Sequence, residues 1–298
     1  MWAWEALLSY GTFLGDGYAH REQPNTSTME RFAEFLKERA YLLNVSPKTI
    51  VYYQCAFRAW EKHANGDPKA WIVNMRDAGI SPVSCNTYIC ALNAYWRWAG
   101  TGLKVAYLKE EEKVLATFTP EQVKRIIAYK PTGRNLTRAW VVAMVILDTG
   151  LRISEVLGLA KRDLDFENLL IKALGKGSKE RRVPMSLELR KVLFKWQQKH
   201  AHELLFPTRN GTRMTVRNFQ RDFKVLCKRL AITGVRCSPH TLRHSFAVGY
   251  LRAGGNLFYL SKILGHTSVK TTERYLQSLQ AQDLQAVHDR LSLLTRRG

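Results

Sequence analysis

Residues 167–186 read ENLLIKALGKGSKERRVPMS, and this stretch decides the fold class of the chain. Two short runs, ENLLIKAL and ERRVPMS, flank Gly175-Lys176-Gly177-Ser178, whose glycines supply the backbone freedom a hairpin turn requires. The other patterned segments have helical spacing instead. The expectation is a mainly α-helical protein with one small β-sheet.

Beyond the hairpin, LELRKVLFKWQQKHA, VRNFQRDFKVLCKRLAI and HTLRHSFAVGYLRAGG read as helices. Before it, LTRAWVVAMVILDTG and RISEVLGLA read as two more, the first ended by Gly150. Thr119-Pro120-Glu121-Gln122 opens this region with a capping threonine, a proline at the first helical position and a glutamine placed to complete a capping box. A mixed α/β domain is therefore expected over residues 117–278. Upstream, LKEEEKVLA (108–116) is charged and lacks a core face, as a linker does.

Residues 29–107 carry ERFAEFLKERAYLL, SPKTIVYYQCAFRAWEKHA and SCNTYICALNAYWRWAGTG, the pattern of a small helical bundle. Ser46 caps the second helix and Pro47 sits where a missing N–H costs nothing. Trp60, Trp71, Trp96 and Trp98 recur at helical spacing and are expected in the core. Residues 1–28 have no clear periodicity and read as a loosely attached extension; they lack the basic start and uninterrupted apolar run of a signal peptide. Residues 279–298 have helical spacing and read as a terminal helix.

With 46 Lys+Arg against 25 Asp+Glu, the chain of 298 residues carries a formal charge of +21, and a polyanion is the partner expected first. Nucleic acid leads. An anionic membrane would call for a concentrated basic amphipathic helix or a lipid anchor, and the sequence shows neither. Five scattered cysteines without a CxxC pair fit a reducing cytoplasm better than a disulfide scaffold.

Cationic side chains mark four segments of the second domain: TGLRISE, GKGSKERRVP, SPHTLRHSF and LGHTSVKTTERY. His240 and Arg243 stand three apart, so a helix presents them on one face toward a shared anion. Arg152 begins a helix, where the dipole disfavours a cation, and a bound anion would remove the mismatch. Lys48, Thr49, Tyr52 and Arg58 in the first domain are candidate phosphate contacts, with a solvated helix face as the equal alternative. His240 and His244, with Cys237 upstream, imitate metal-ligand spacing, but Arg243 between them would set a cation beside the metal. Asp163, Asp165 and Glu167 read as a solvated loop. No metal or cofactor is expected.

The parts needed for phosphodiester cleavage by a tyrosine are all present. A free phenol has a pKa of about 10, so about one in a thousand is ionised near neutrality and positive neighbours or a base must activate it. Arginines can hold the non-bridging oxygens, histidines can donate to them or move the nucleophile's proton, and a lysine can protonate the leaving alkoxide.

The ordered set Arg152, Lys176, His240-x-x-Arg243, His266 and Tyr275 resembles the tyrosine recombinases, the phage-integrase family that includes Xer-type resolvases and lambda integrase. The resemblance runs from about residue 29 to about residue 278. It implies an all-helical core-binding domain followed by a mixed α/β catalytic domain. It also implies the roles: Tyr275 as nucleophile forming a 3′-phosphotyrosyl link, Arg152 and Arg243 as phosphate clamps, His240 and His266 as phosphate ligands and proton carriers, and Lys176 as general acid. Lys179 is the second candidate for that acid, and Lys179 and Arg181 are further candidate DNA contacts. Glu155 reads as a positioning partner and Arg274 as a solvated neighbour. The family further implies double-stranded DNA with an inverted-repeat site, a homotetramer exchanging strands through a Holliday junction, an accessory directionality factor, and a tail over residues 279–298 docked into a neighbouring protomer, with packing on its own chain as the alternative. A type IB topoisomerase that rejoins the same strand, and a noncatalytic DNA-binding regulator, are the alternatives.

Overall fold

The computed structural model describes residues 26–64, 66–110, 116–175 and 180–292, which fall into two compact units, Met1–Glu112 and Lys113–Gly298. The extension expected over residues 1–28 lies outside the described residues up to residue 25; Thr26 already belongs to the first helix.

The first unit contains four described helices, α1 (Thr26–Tyr41), α2 (Pro47–His63), α3 (Pro68–Asp77) and α4 (Pro82–Trp98). One local device starts three of them. Ser46, Asp67 and Ser81 each accept a backbone N–H from the first turn, and Pro47, Pro68 and Pro82 follow at the position that needs no donor. The sequence reading saw this at Ser46 and missed α3, a ten-residue helix that buries only Trp71 and Met75. Its short apolar stripe makes a weak periodic signal.

Aromatic rings fill the core of this unit. Phe32 stacks on Phe57 at 3.9 Å between ring centres, and Trp71 meets Trp60 and Trp96 edge-on at 5.5 Å and 6.3 Å. Trp71 and Trp96 are buried and Trp60 and Trp98 pack against them half-buried, so the tryptophans serve the core.

The second unit is built around α6 (Arg134–Thr149), a helix buried along much of its length. Before it, α5 (Pro120–Ala128) opens with the expected reciprocal capping box of Thr119 and Gln122. RISEVLGLA yields only one turn, α7 (Ile153–Val156). The reason lies elsewhere in the chain: the guanidinium of Arg213 donates to the carbonyls of Ser154 and Leu157, and a Cβ on Gly158 would stand 2.8 Å from Arg213 Nη2. Carbonyls that a longer helix would use are taken by a side chain.

The sheet is an antiparallel meander of β1 (Leu164–Asp165), β2 (Leu170–Leu174) and β3 (Glu180–Pro184). Ile171 pairs with Val183 and Ala173 with Arg181. Ile171, Ala173 and Val183 are buried, so the two-residue period places Arg181 on the core-facing side. Asp163 and Asp165 close local turns, accepting the N–H of Ala160 and of Asn168.

Helices α8 (Leu187–Gln197), α9 (Val216–Arg229) and α10 (Pro239–Arg252) follow, with α10 packed on α6. The sequence reading missed α11 (Leu257–Leu264), capped by Asn256. After it come a short α12 (Lys270–Glu273), a 3-10 turn at Leu276–Ser278 and α13 (Ala281–Leu291). Leu279 packs against the cluster of Ala247, Val248, Leu251, Leu260 and Leu264, and Arg252 Nε donates to Asp283 Oδ2 at 3.0 Å. Among the described residues no helix is long and apolar enough to cross a membrane.

Candidate active site

Two left-handed glycines bring the cationic motifs together. Gly150 (φ 64°) ends α6 against the ring of Phe246, and Gly265 (φ 65°) ends α11. A side chain at either position would strain the backbone and collide with its neighbours. Between these two turns sits Arg243, on the second turn of α10, where Ser238 caps the helix and Pro239 starts it.

Arg243 is 6% exposed, yet its charge is well supplied with acceptors. Nη1 donates to Gly150 O at 2.5 Å, and Nη2 donates to Leu264 O at 2.9 Å and to His266 Nε2 at 3.1 Å. Burial, then the charge of Arg152, lowers its pKa to about 10, so it remains a cation at neutral pH. The Tyr275 hydroxyl lies against it and favours that charge.

The contacts of His266 fix its tautomer. A guanidinium has only N–H donors, so Nε2 must accept from Arg243. The proton is then on Nδ1, which donates to Thr272 Oγ1 at 2.7 Å. Burial, followed by the charges of Arg243, Arg152, Arg181 and Arg274, lowers the pKa of His266 to about 4. The imidazole is neutral.

Tyr275 follows α12 and is 3% exposed, set among Ala247, Val248, Leu251, Leu260 and Leu264. Its ring lies nearly parallel to that of His266, 6.4 Å away, and meets His244 edge-on at 5.6 Å. Burial, then the charges of Arg274, His240 and Arg243, lowers the pKa of His244 to about 4 as well. Arg274 is exposed, yet its charge bears on both histidines.

Arg152 stands at the start of α7, and its side chain is 40% exposed. The anion its position called for is internal: Glu155 Oε2 accepts the Arg152 backbone N–H at 2.8 Å, and Oε1 accepts Nη1 at 3.1 Å. Arg152 Nη2 also reaches Gly265 O at 3.4 Å. Burial opposes ionisation of Glu155, but hydrogen bonds from Arg181 and Arg152 outweigh it and hold the carboxyl below its usual range.

Arg152, Arg243, His266 and Tyr275 thus share one neighbourhood. His240 is exposed one turn before His244, with ring centres 6.4 Å apart. Lys176 and Lys179 lie outside the described residues. Arg181, a candidate DNA contact, donates to Glu155 and to Ile263 O. In the first unit Lys48 and Arg58 are exposed and Thr49 and Tyr52 half-exposed, with the Tyr52 hydroxyl donating to Thr87 O at 2.6 Å.

Thr272 was not singled out by the sequence reading, and His244 was noted only for its imitation of metal-ligand spacing. His244 had one usable signal, its place directly after Arg243; Thr272 had none, since Thr271 beside it is chemically the same.

An arrangement of two arginines, a neutral histidine and a buried tyrosine suits stabilisation of a phosphoryl group under attack. Residues 116–282 match the phage integrase family. The chain is 30% identical to the tyrosine recombinase XerA of Thermococcus kodakarensis over 85% of this chain and 91% of the relative. It is 26% identical to XerC of Shewanella amazonensis over 88% and 95%. Among solved structures, the Tn1549 transposon integrase in complex with transposon right-end DNA shares the fold at a TM-score of 0.71 and 22% identity, over 88% of this chain and 98% of that one. A lambda integrase dimer bound to a core site shares it at 0.68 and 15%. The chain belongs to the phage integrase family, the class of enzymes that cleave and rejoin DNA in site-specific recombination.

Proposed function

We propose that Tyr275 is the nucleophile of this recombinase and that Arg152 and Arg243 hold the scissile phosphate. The tyrosine oxygen attacks phosphorus while the bond to the 5′ oxygen breaks, leaving a 3′-phosphotyrosyl link. The tyrosine proton passes to a neighbouring base, and the departing 5′ oxygen takes a proton from Lys176, with Lys179 the second candidate. One phosphoester bond replaces another, so the step needs no cofactor, and attack by a different 5′ hydroxyl completes strand exchange. The carrying observation is the buried Tyr275 between two neutral histidines and against the Arg243 guanidinium.

Both non-bridging oxygens need donors, and the two arginines supply them. When a phosphate takes the Nη2 donor of Arg243, Nε2 of His266 loses that neighbour's hydrogen bond and gains an anion beside it. Its pKa then rises, and the ring can donate to the phosphate. His240, exposed on the same helix, is the second such donor.

The substrate in this reading is double-stranded DNA with inverted repeats, bound by a tetramer that passes through a Holliday junction. Lys48, Thr49 and Arg58 contribute phosphate contacts from the first unit, and Tyr52 joins them once its hydroxyl gives up its bond to Thr87 O. The formal charge of +21 supports a polyanionic substrate, the scattered free cysteines support a reducing, cytoplasmic location, and nucleoid association follows in this reading from the DNA substrate.

The test is a nicked suicide duplex carrying inverted repeats found beside the gene. The expected result is a covalent adduct at Tyr275 on a 3′ DNA end with exchanged flanks, and no adduct from Tyr275→Phe. An adduct formed by Tyr275→Phe overturns the assignment; relaxed circles without exchanged flanks would point to topoisomerase activity.

A further inference from the structure

We propose that Arg181 is a positioning residue for Arg152: by taking up the charge of Glu155, it leaves Arg152 available to the scissile phosphate. The inference rests on the reading of Arg152 as a phosphate ligand.

A buried carboxylate next to an anion site is a competitor for the same arginine. Glu155 has a side chain only 4% exposed, and its charge must be balanced where it stands. The balance is unequal. Arg181 meets the carboxylate fork to fork, Nη1 to Oε1 and Nη2 to Oε2, both at 2.8 Å. Arg152 gives it one side-chain contact at 3.1 Å and otherwise a backbone N–H. Arg181 is therefore the principal counter-ion, and Arg152 keeps a side chain that is 40% exposed against 15% for Arg181.

Arg181 is itself held in register. Opposite it on β2 stands the buried Ala173, a small side chain. Arg181 Nε donates to Ile263 O at 3.1 Å, and the guanidinium lies so close to Gly265 that a Cβ there would stand 2.8 Å from Cζ. One side chain thus joins β3, the start of α7 and the turn that precedes His266. Two arginines and one carboxylate leave the group with a net charge of +1; without Arg181 the remaining pair is neutral. Arg152 would then close on Glu155 and offer a phosphate little.

The experiment is single-turnover cleavage of the nicked duplex by the full chain, with thermal melting of each variant. Arg181→Ala is expected to slow cleavage about a hundredfold, the scale for losing one well-placed donor to the transition state. Adding Glu155→Gln removes the competing carboxylate, and the double variant is expected to recover about tenfold. A direct DNA contact predicts no recovery and a salt dependence of binding that becomes shallower by about 0.9 in slope. The proposal fails if Arg181→Ala cleaves at the wild-type rate, or if the folded double variant is no faster than the single. Should Arg181→Ala not fold, Arg181→Lys keeps the charge but loses the fork. Slower cleavage restored by Glu155→Gln then supports the proposal, and an unchanged or unrestored rate overturns it. Arg152→Ala separates the two readings: wild-type cleavage by that variant removes the phosphate-ligand role itself, whatever Arg181 does.

Discussion

The interior of the first unit and the interior around Tyr275 are both buried, and they are buried by opposite means. Around Trp71 the space is filled by rings: Trp60, Trp96, Phe57 and Tyr95 bring area and shape, and the indole N–H of Trp71 finds one acceptor, Ala59 O at 3.0 Å. Around Tyr275 a guanidinium and two imidazoles are enclosed, each matched to a partner or held neutral. The first interior is an investment in stability. The second holds charge out of water, as the proposed phosphate site requires.

This contrast predicts that damage to the two interiors is felt differently. Trp71→Ala should cost about 3–5 kcal/mol of stability, the range for emptying a fully buried aromatic site, and should appear as early melting of the first unit. Melting at the wild-type temperature would remove the packing argument. Arg243→Lys should melt with a smaller change, because a charge remains, yet slow cleavage about a hundredfold, since one ammonium cannot reproduce the fork that serves Gly150 O, Leu264 O and His266. Equal losses in both variants, in both measurements, would break the comparison.

A smaller effect separates the regions by pH. His244 and His266 have folded pKa values of about 4, below the 6.5 of a free imidazole. Between those values the unfolded chain binds more protons than the folded one, so stability is full above about pH 6.5 and declines as pH falls toward 4. Replacing both histidines by glutamine should flatten that part of the melting-temperature profile. A profile that stays as steep would locate the acid sensitivity elsewhere.

Much of the second unit was legible locally. The hairpin strands, the Thr119 capping box and the Gly150 stop are each written in a few consecutive residues, because turns and caps are satisfied within one turn of chain. The short α7 was misread as a full helix because the side chain that ends it, Arg213, lies far along the sequence. The helices α3 and α11 escaped notice because eight to ten residues give too few repeats of an apolar stripe.

By itself the sequence determined the family, through the order of Arg152, Lys176, His240, Arg243, His266 and Tyr275 in four motifs, and with it the chemistry to expect. Only the tertiary structure decided how Arg152, Arg243, His266 and Tyr275 are held. Arg181 meets the Glu155 carboxylate fork to fork, and His266 takes its tautomer from Arg243 and Thr272. The reason is range: periodicity and capping report on neighbours three or four residues away, whereas Arg243 meets Gly150, and Arg181 meets Glu155, across separations that leave no periodic trace in the sequence.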